Sequence, residues 1–138
     1  SSDLGAAQVK AMKQVASKVK LELAQYNELL AFTQFGSDLD KATRDQLNRG
    51  SKIMEVLKQP QYSPYRVEEQ VISFYCVTNG YFDDVPNEKL RTFEKDLIEA
   101  IRNDSNILSE ILEKKSLDDN LKNELDEFII NYKKEYVW

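Results

Sequence analysis

The sequence contains no histidine, and this absence excludes several kinds of chemistry. Without an imidazole the protein cannot form a Ser-His-Asp or Cys-His catalytic arrangement, and it cannot supply histidine ligands to zinc. Cys76 is the one cysteine, so an intrachain disulfide and a cysteine-rich metal site are also excluded. Its apolar neighbours in residues 71–77 predict that this thiol is a small buried side chain and not a nucleophile.

Glycine and proline are scarce, with four and three residues respectively. The phosphate-binding pattern G-x-x-x-x-G-K-[ST] is absent, and the scarcity of helix breakers favours an all-helical chain. The longest apolar run is far shorter than the roughly 18 residues that a membrane span needs, so we expect no direct membrane insertion. A net charge of −5 with interspersed signs argues against a nucleic-acid partner.

Helical periodicity is the dominant pattern in the sequence. Apolar residues recur at steps of three and four over residues 6–32, which predicts one long amphipathic N-terminal helix; they are Val9, Met12, Ala16, Val19, Leu23, Tyr26 and Leu30. Further helices are predicted over residues 38–48, 53–57, 64–78, 87–103, 107–112 and 121–132. The predicted fold class is therefore all-α, a bundle of six to seven helices.

Local signals place the helix ends. Gly50 is expected to separate the second helix from the third, and Asn79-Gly80 to end the helix before it. Helix starts are predicted by the capping-box spacing and by a Ser-Pro start, at Ser37/Asp40, Ser116/Asp119 and Ser63-Pro64. The helix that contains residues 72–77 is apolar on nearly every side, which predicts a central position in the bundle.

Paired carboxylates invite an acid/base or metal-binding interpretation, but their positions favour a structural one. Each pair lies at a predicted helix start or in a polar turn, where a carboxylate accepts hydrogen bonds from free backbone N–H groups; the pairs are Asp38/Asp40, Glu68/Glu69 and Asp83/Asp84. We therefore expect no metal site.

Ordered blocks of the sequence resemble the α subunit of the rotary F-type ATP synthase. The resemblance covers roughly residues 5–100, and beyond Asn103 only the helical pattern continues. The blocks are residues 6–15 (AAQVKAMKQV), 21–26 (LELAQY), 35–43 (FGSDLDKAT), 46–50 (QLNRG), 57–64 (LKQPQYSP), 68–70 (EEQ) and 78–81 (TNGY). Residues 6–138 are thus identified as the C-terminal helical domain, and residues 1–5 as a truncated or non-native end.

The resemblance implies a role inside a larger machine. In that family, α and β subunits alternate in a ring around a central γ shaft, and proton flow turns the shaft so that the β sites make ATP. The α subunit binds ATP or ADP with Mg²⁺ without turning it over. The implied partners are the β and γ subunits and the rest of the α subunit. The implied location is the cytoplasmic face of a bacterial plasma membrane, with an organellar inner or thylakoid membrane as the alternative.

Two sites follow from the resemblance. Gln59 and Gln61 match the glutamines near the adenine of the noncatalytic nucleotide, although without the resemblance they would be read as polar loop residues facing water. The second site is the loop that faces the γ shaft, whose residues also have the capping-box spacing noted above; it comprises Phe35, Gly36, Ser37, Asp38, Leu39 and Asp40.

One departure from the family bears on catalysis. Ser2 stands where the resemblance places the arginine finger, so this chain alone is expected to lack activity and to need no cofactor, while the parent complex is a proton-translocating ATP synthase/ATPase. Val77 stands where the family often has glycine. The alternative function is a free-standing helical protein-interaction module, which we would expect to begin with its own methionine; the chain begins Ser1-Ser2.

Overall fold

A computed structural model describes residues 2–33, 39–58 and 65–136, with side chains described from Lys10 onward. All regular elements within these residues are α-helices, which confirms the predicted all-α class and the long N-terminal helix. The described elements are six in number: α1 (Ser2–Thr33), α2 (Lys41–Leu57), α3 (Val67–Thr78), α4 (Asn87–Asp104), α5 (Ile107–Lys114) and α6 (Asp119–Glu135).

Helix α3 lies at the centre of the bundle, as predicted. It packs against α1, α2, α4 and α5, and nine of its residues are buried. Cys76 is fully buried among them, and burial raises the pKa of its thiol. The apolar seam of α4 is buried as predicted, at Leu90, Phe93, Leu97 and Ile101.

The prediction that Gly50 divides two helices is wrong, because α2 continues through it to Leu57. Gly50 is buried where α2 crosses α1, and a Cβ placed there would lie 2.2 Å from Tyr26 Cδ1. A glycine inside a helix weakens it by roughly 0.5–1 kcal/mol relative to alanine, but it lets two backbones approach closely. Glycine at this position therefore reflects helix packing and not a turn.

The predicted helix starts also need correction. Asp40 and Asp118, and not Ser37 and Ser116, are the N-cap residues of α2 and α6. Each cap residue is extended, and its carboxylate accepts the backbone N–H of the residue three positions later. Ser37 itself lies outside the described residues.

Helix α3 begins at Val67, later than the predicted start at Pro64. The carboxylate of Glu69 reaches back and accepts the backbone N–H of Arg66 at 2.9 Å, which fixes the first turn at this point. The predicted Ser63 cap and Pro64 lie outside the described residues.

The buried face of α1 is rotated by about one residue from the predicted seam. Ala11, Val15 and Val19 are buried, and Met12 and Leu23 pack partly against the core. Ala16 is only half-buried and Leu30 is exposed, contrary to the prediction. The reason is that α1 packs against α3 as well as α2, so its buried stripe is set by two neighbours.

Helix α6 and the segment before it close the bundle. Tyr75 and Tyr81 both donate their hydroxyls to Asp126 Oδ1 on α6, at 2.7 and 2.8 Å. Gln14 on α1 exchanges two hydrogen bonds with the backbone of Leu117, which precedes α6. These contacts join the segment beyond residue 103 to the part of the sequence that carries the blocks.

Candidate functional site

Most of the predicted site residues lie outside the described part of the chain. Neither adenine-side glutamine, Gln59 or Gln61, is described. The first four residues of the predicted shaft-facing loop, Phe35, Gly36, Ser37 and Asp38, are also outside it. Of that loop the structure places only Leu39, which is half-buried, and Asp40, which is exposed.

Asp40 performs the structural role that its spacing allows. Its Oδ1 accepts a hydrogen bond from the Thr43 backbone N–H at 2.8 Å. Hydrogen bonds from the Thr43 side chain and backbone lower the pKa of Asp40, with a smaller contribution from the nearby Arg44 charge. The carboxylate therefore stays ionised near neutral pH and presents a negative charge at the start of α2.

Both flanks of residues 59–64 are described, and α4 contacts both of them. On the first flank, Arg91 Nη2 donates to the backbone carbonyl of Glu55 at 3.2 Å, in the last turn of α2. On the second flank, burial raises the pKa of Tyr65, and the nearby carboxylate of Glu94 raises it further. The Tyr65 carbonyl accepts Gln70 Nε2 at 2.9 Å.

Glu94 is the most unusual residue near these flanks. Its side chain is only 2% exposed. Burial raises the pKa of Glu94, while the hydroxyls of Ser73 and Tyr65 and the charge of Arg91 act in the opposite direction. Ser73 Oγ is near the carboxylate, yet neither it nor Glu94 Oε2 has a well-aligned hydrogen-bond partner within the described residues.

The sequence interpretation missed Tyr65, Arg91 and Glu94. A signal for Glu94 existed, because it is four residues after Leu90 and three before Leu97, both in the predicted seam of α4. A carboxylate on the apolar side of a helix needs a partner. Nothing in the sequence pattern identifies Tyr65, which directly follows Pro64, as the residue that lies beside this carboxylate.

A second cluster of polar residues surrounds Arg49, beside a cleft of about 150 Å³ between α1 and α2. Arg49 contacts both carboxylate oxygens of Asp83, with Nη2 at 2.7 Å and Nε at 3.3 Å, and its Nη1 lies 4.0 Å from Glu22. Burial raises the pKa of Glu22, and the Arg49 charge opposes this shift. Arg49, on α2, thus holds the turn after α3 close to α2 and α1 through its contacts with Asp83 and Glu22.

Over residues 2–33, 39–58 and 65–136, no three His, Cys, Asp or Glu side chains come together as metal ligands. Within the same residues, no helix is both long enough and apolar enough to cross a membrane.

Comparison with known proteins gives consistent matches. The sequence model described as "ATP synthase alpha/beta chain, C terminal domain" matches residues 8–132. The chain is 51% identical over 134 residues to the ATP synthase subunit alpha of Aquifex aeolicus (strain VF5), covering 96% of this chain and 27% of that protein. It is 50% identical over 130 residues to the ATP synthase subunit alpha of Paenarthrobacter aurescens (strain TC1), covering 94% of this chain and 24% of that protein. The chain therefore spans about a quarter of the length of these relatives.

Proposed function

Because this protein belongs to the family of C-terminal domains of ATP synthase alpha and beta chains and matches α subunits, we propose that it serves the noncatalytic, nucleotide-binding α subunit of a proton-driven rotary ATP synthase. The observation that carries the proposal is that about half of the aligned residues are identical to α subunits over nearly the whole chain. In this role the domain packs in the α/β ring at the cytoplasmic face of a bacterial membrane. The α-subunit relatives favour this role over a free-standing interaction module.

Gln59 and Gln61 form the adenine-side wall of the noncatalytic site in this proposal. Each side-chain amide can both donate and accept a hydrogen bond, which suits the mixed donor and acceptor edge of adenine. The sequence has no Gly-rich phosphate loop, and the described residues gather no set of metal ligands. Residues outside this chain would therefore hold the phosphates and Mg²⁺ of ATP or ADP.

The adenine wall is tested by replacing Gln59 and Gln61 with alanine in the whole α subunit, assembled with β and γ. Each replacement removes about one net hydrogen bond, so we expect ATP to bind the noncatalytic site about 3–10-fold more weakly. Inorganic tripolyphosphate, which has no base, should bind unchanged. An unchanged ratio of ATP to tripolyphosphate affinity in both variants would overturn the adenine role.

The loop of residues 35–40 meets the γ shaft in this proposal. Asp40 supports it, since its ionised carboxylate stands exposed at the start of α2 and would suit contact with a basic surface. Contacts of this exposed, ionic kind are weak enough to be broken as the shaft turns.

A Ser37→Cys variant, combined in turn with single cysteines along γ, tests the shaft contact. Oxidation should join the two subunits and stop ATP-driven turnover, and reduction should restore it. Cys76 is fully buried and so should not interfere. The matched control is Glu113→Cys, at an exposed position on α5. If Ser37→Cys forms no disulfide with any γ position, or forms one no faster than the control, the loop does not face the shaft.

A further inference from the structure

The turn between α3 and α4, residues 79–86, is bonded to two helices that do not pack against each other. Helix α2 packs against α1, α3 and α4, whereas α6 packs against α4 and α5 within the described residues. Side chains of both helices nevertheless bond to this turn. We infer that the turn couples α2 to α6, so that releasing one helix from the turn weakens the hold of the turn on the other.

Helix α2 holds the turn at Asp83 through two side chains. Asn48 Nδ2 donates to the backbone carbonyl of Asp83 at 2.7 Å. Arg49 donates to both carboxylate oxygens of Asp83, from Nη2 at 2.7 Å and from Nε at 3.3 Å. A two-point contact between a guanidinium and a carboxylate fixes orientation as well as distance. Consecutive residues of α2 therefore hold both the main chain and the side chain of Asp83.

Helix α6 holds the same turn at the residues on either side of Asp83. Lys133 Nζ donates to the Tyr81 backbone carbonyl at 2.7 Å and to Asp84 Oδ1 at 2.6 Å. The Tyr81 hydroxyl in turn donates to Asp126 Oδ1 at 2.8 Å. The Lys133 side chain is only 19% exposed, so its charge is screened less by water than that of a surface lysine. Two residues of α6 thus hold the turn.

The turn has a fixed internal geometry, so the two sets of contacts cannot change independently. The Asp83 backbone N–H donates to the Gly80 carbonyl at 3.2 Å, and Gly80 has a φ of 84°, which favours glycine. The Val85 backbone N–H donates to the Phe82 carbonyl at 3.1 Å. The side chains of Phe82 and Val85 are buried in the core. A displacement of Asp83 is therefore passed to its neighbours in the turn.

Helix α6 should be the more sensitive of the two helices. Its buried residues are Leu121, Leu125 and Ile129, and it has two helix neighbours within the described part of the chain. An element with few buried contacts opens at a low free-energy cost. Asp126 and Lys133 are seven residues apart and so lie on one face of α6. Their contacts with the turn fasten this face, and loosening the turn should release it.

A cycle of single and double variants measures the coupling. Arg49→Met removes the guanidinium contacts with Asp83, and Lys133→Met removes the ammonium contacts with Tyr81 and Asp84. Urea unfolding of the purified chain gives the unfolding equilibrium constant of the wild type, of each single variant and of the double variant. We expect the double variant to raise this constant about fivefold less than the product of the two single effects. Simple repulsion between the two cations would give the opposite deviation.

The matched control is the same cycle with Arg91→Met in place of Arg49→Met. Arg91 also bonds to α2, through the Glu55 carbonyl at 3.2 Å, but at a point away from the turn. Its effect and that of Lys133→Met should simply multiply. Asn48→Ala removes the other α2 contact with the turn and replaces Arg49→Met in the cycle if that variant does not fold. Effects that multiply at the turn, or an equal deviation in the control cycle, would overturn the inference.

Hydrogen exchange shows where the coupling acts. In Arg49→Met, the backbone amides of α6 should exchange about fivefold faster relative to those of α4 than they do in the wild type. The reason is that α6 loses part of its attachment, while α4 keeps its buried seam. An equal acceleration in every helix would mean that Arg49 contributes only to global stability, and the coupling between α2 and α6 would then be wrong.

Discussion

Glu94 is an ionisable side chain in a buried position. Its ionisation should therefore make the free energy of unfolding depend on pH. Burial raises the pKa of Glu94 above its ordinary value of 4.5. As pH rises from that value through the raised pKa, the unfolded protein ionises first. The free energy of unfolding should therefore fall over this interval, and stay lower above it.

The comparison of the wild-type protein with Glu94→Gln tests this expectation. Urea unfolding across a pH series should show the fall in the wild type and its absence in the variant. Asp40 and Asp118 titrate in both proteins, at lower pH and with the opposite slope, because their pKa values are lowered. Subtracting the two profiles therefore isolates residue 94, and parallel profiles would show that its carboxyl has no raised pKa.

Gly50 gives a second prediction at this scale. A methyl group there would lie 2.2 Å from Tyr26 Cδ1 and 2.7 Å from Tyr26 Cβ, so the ring cannot swing clear without moving α1. We expect Gly50→Ala to destabilise the protein by about 1–3 kcal/mol, measured by urea unfolding, even though alanine favours helix by about 1 kcal/mol.

A double variant is the control for this prediction. With Tyr26→Gly already in place, the added methyl group at residue 50 meets neither the ring nor the Cβ of residue 26, so Gly50→Ala should become neutral or stabilising. The same loss of stability in both backgrounds would mean that the glycine is needed for its backbone and not for the close approach of α1.

At the scale of one element, Asp118 is expected to control the start of α6. Its carboxylate accepts the Leu121 backbone N–H at 2.8 Å. Asp118→Ala should lower the thermal midpoint of unfolding, whereas Asp118→Asn should nearly preserve it, because asparagine caps about as well as aspartate.

The pH dependence of stability distinguishes the capping hydrogen bond of Asp118 from other effects of replacing this residue. The Leu121 hydrogen bond lowers the pKa of Asp118, so the stability it contributes is present above the unfolded value of 3.8 and is lost as pH falls through the folded pKa. This loss should be missing in Asp118→Asn. Ser116→Ala is the matched control, and a larger effect there would restore the serine as the cap.

The sequence pattern was sufficient to predict that most of the helices exist, but not where they begin and end. The seam of α4 and the all-round apolarity of α3 predict the elements and the core, because burial demands such patterns. The two-helix interpretation around Gly50 failed because a buried glycine at a crossing and a glycine in a turn look alike in sequence. Ser116 and Asp118 are both good caps, and only the path of the backbone into α6 decides between them.

The candidate site was less accessible to sequence reasoning. Gln59 and Gln61 came from the resemblance alone and remain predictions. The hydrogen bond from Arg91 to Glu55 and the closeness of Tyr65 to Glu94 join residues far apart in sequence, on either side of residues 59–64. No periodic pattern encodes which helix will stand beside both ends, so this arrangement became visible only with the fold.

At the scale of the whole molecule, we expect the chain alone to release no phosphate from ATP. It has no phosphate loop, and the resemblance implies that Ser2 stands where the family has the arginine that stabilises the transferring phosphoryl group. A phosphate-release assay with the purified protein, beside the assembled complex as positive control, measures this. Turnover that persists through further purification and scales with protein concentration would contradict it.

The central position of α3 has a consequence for how the opening of the molecule can be followed. Cys76 is the one thiol in the sequence and is 0% exposed at the middle of the bundle. A thiol-reactive dye can therefore label only those molecules whose core has opened. At high dye concentration the labelling rate equals the rate of this opening. The protein thus contains its own single-site reporter of unfolding, which needs no engineered tag.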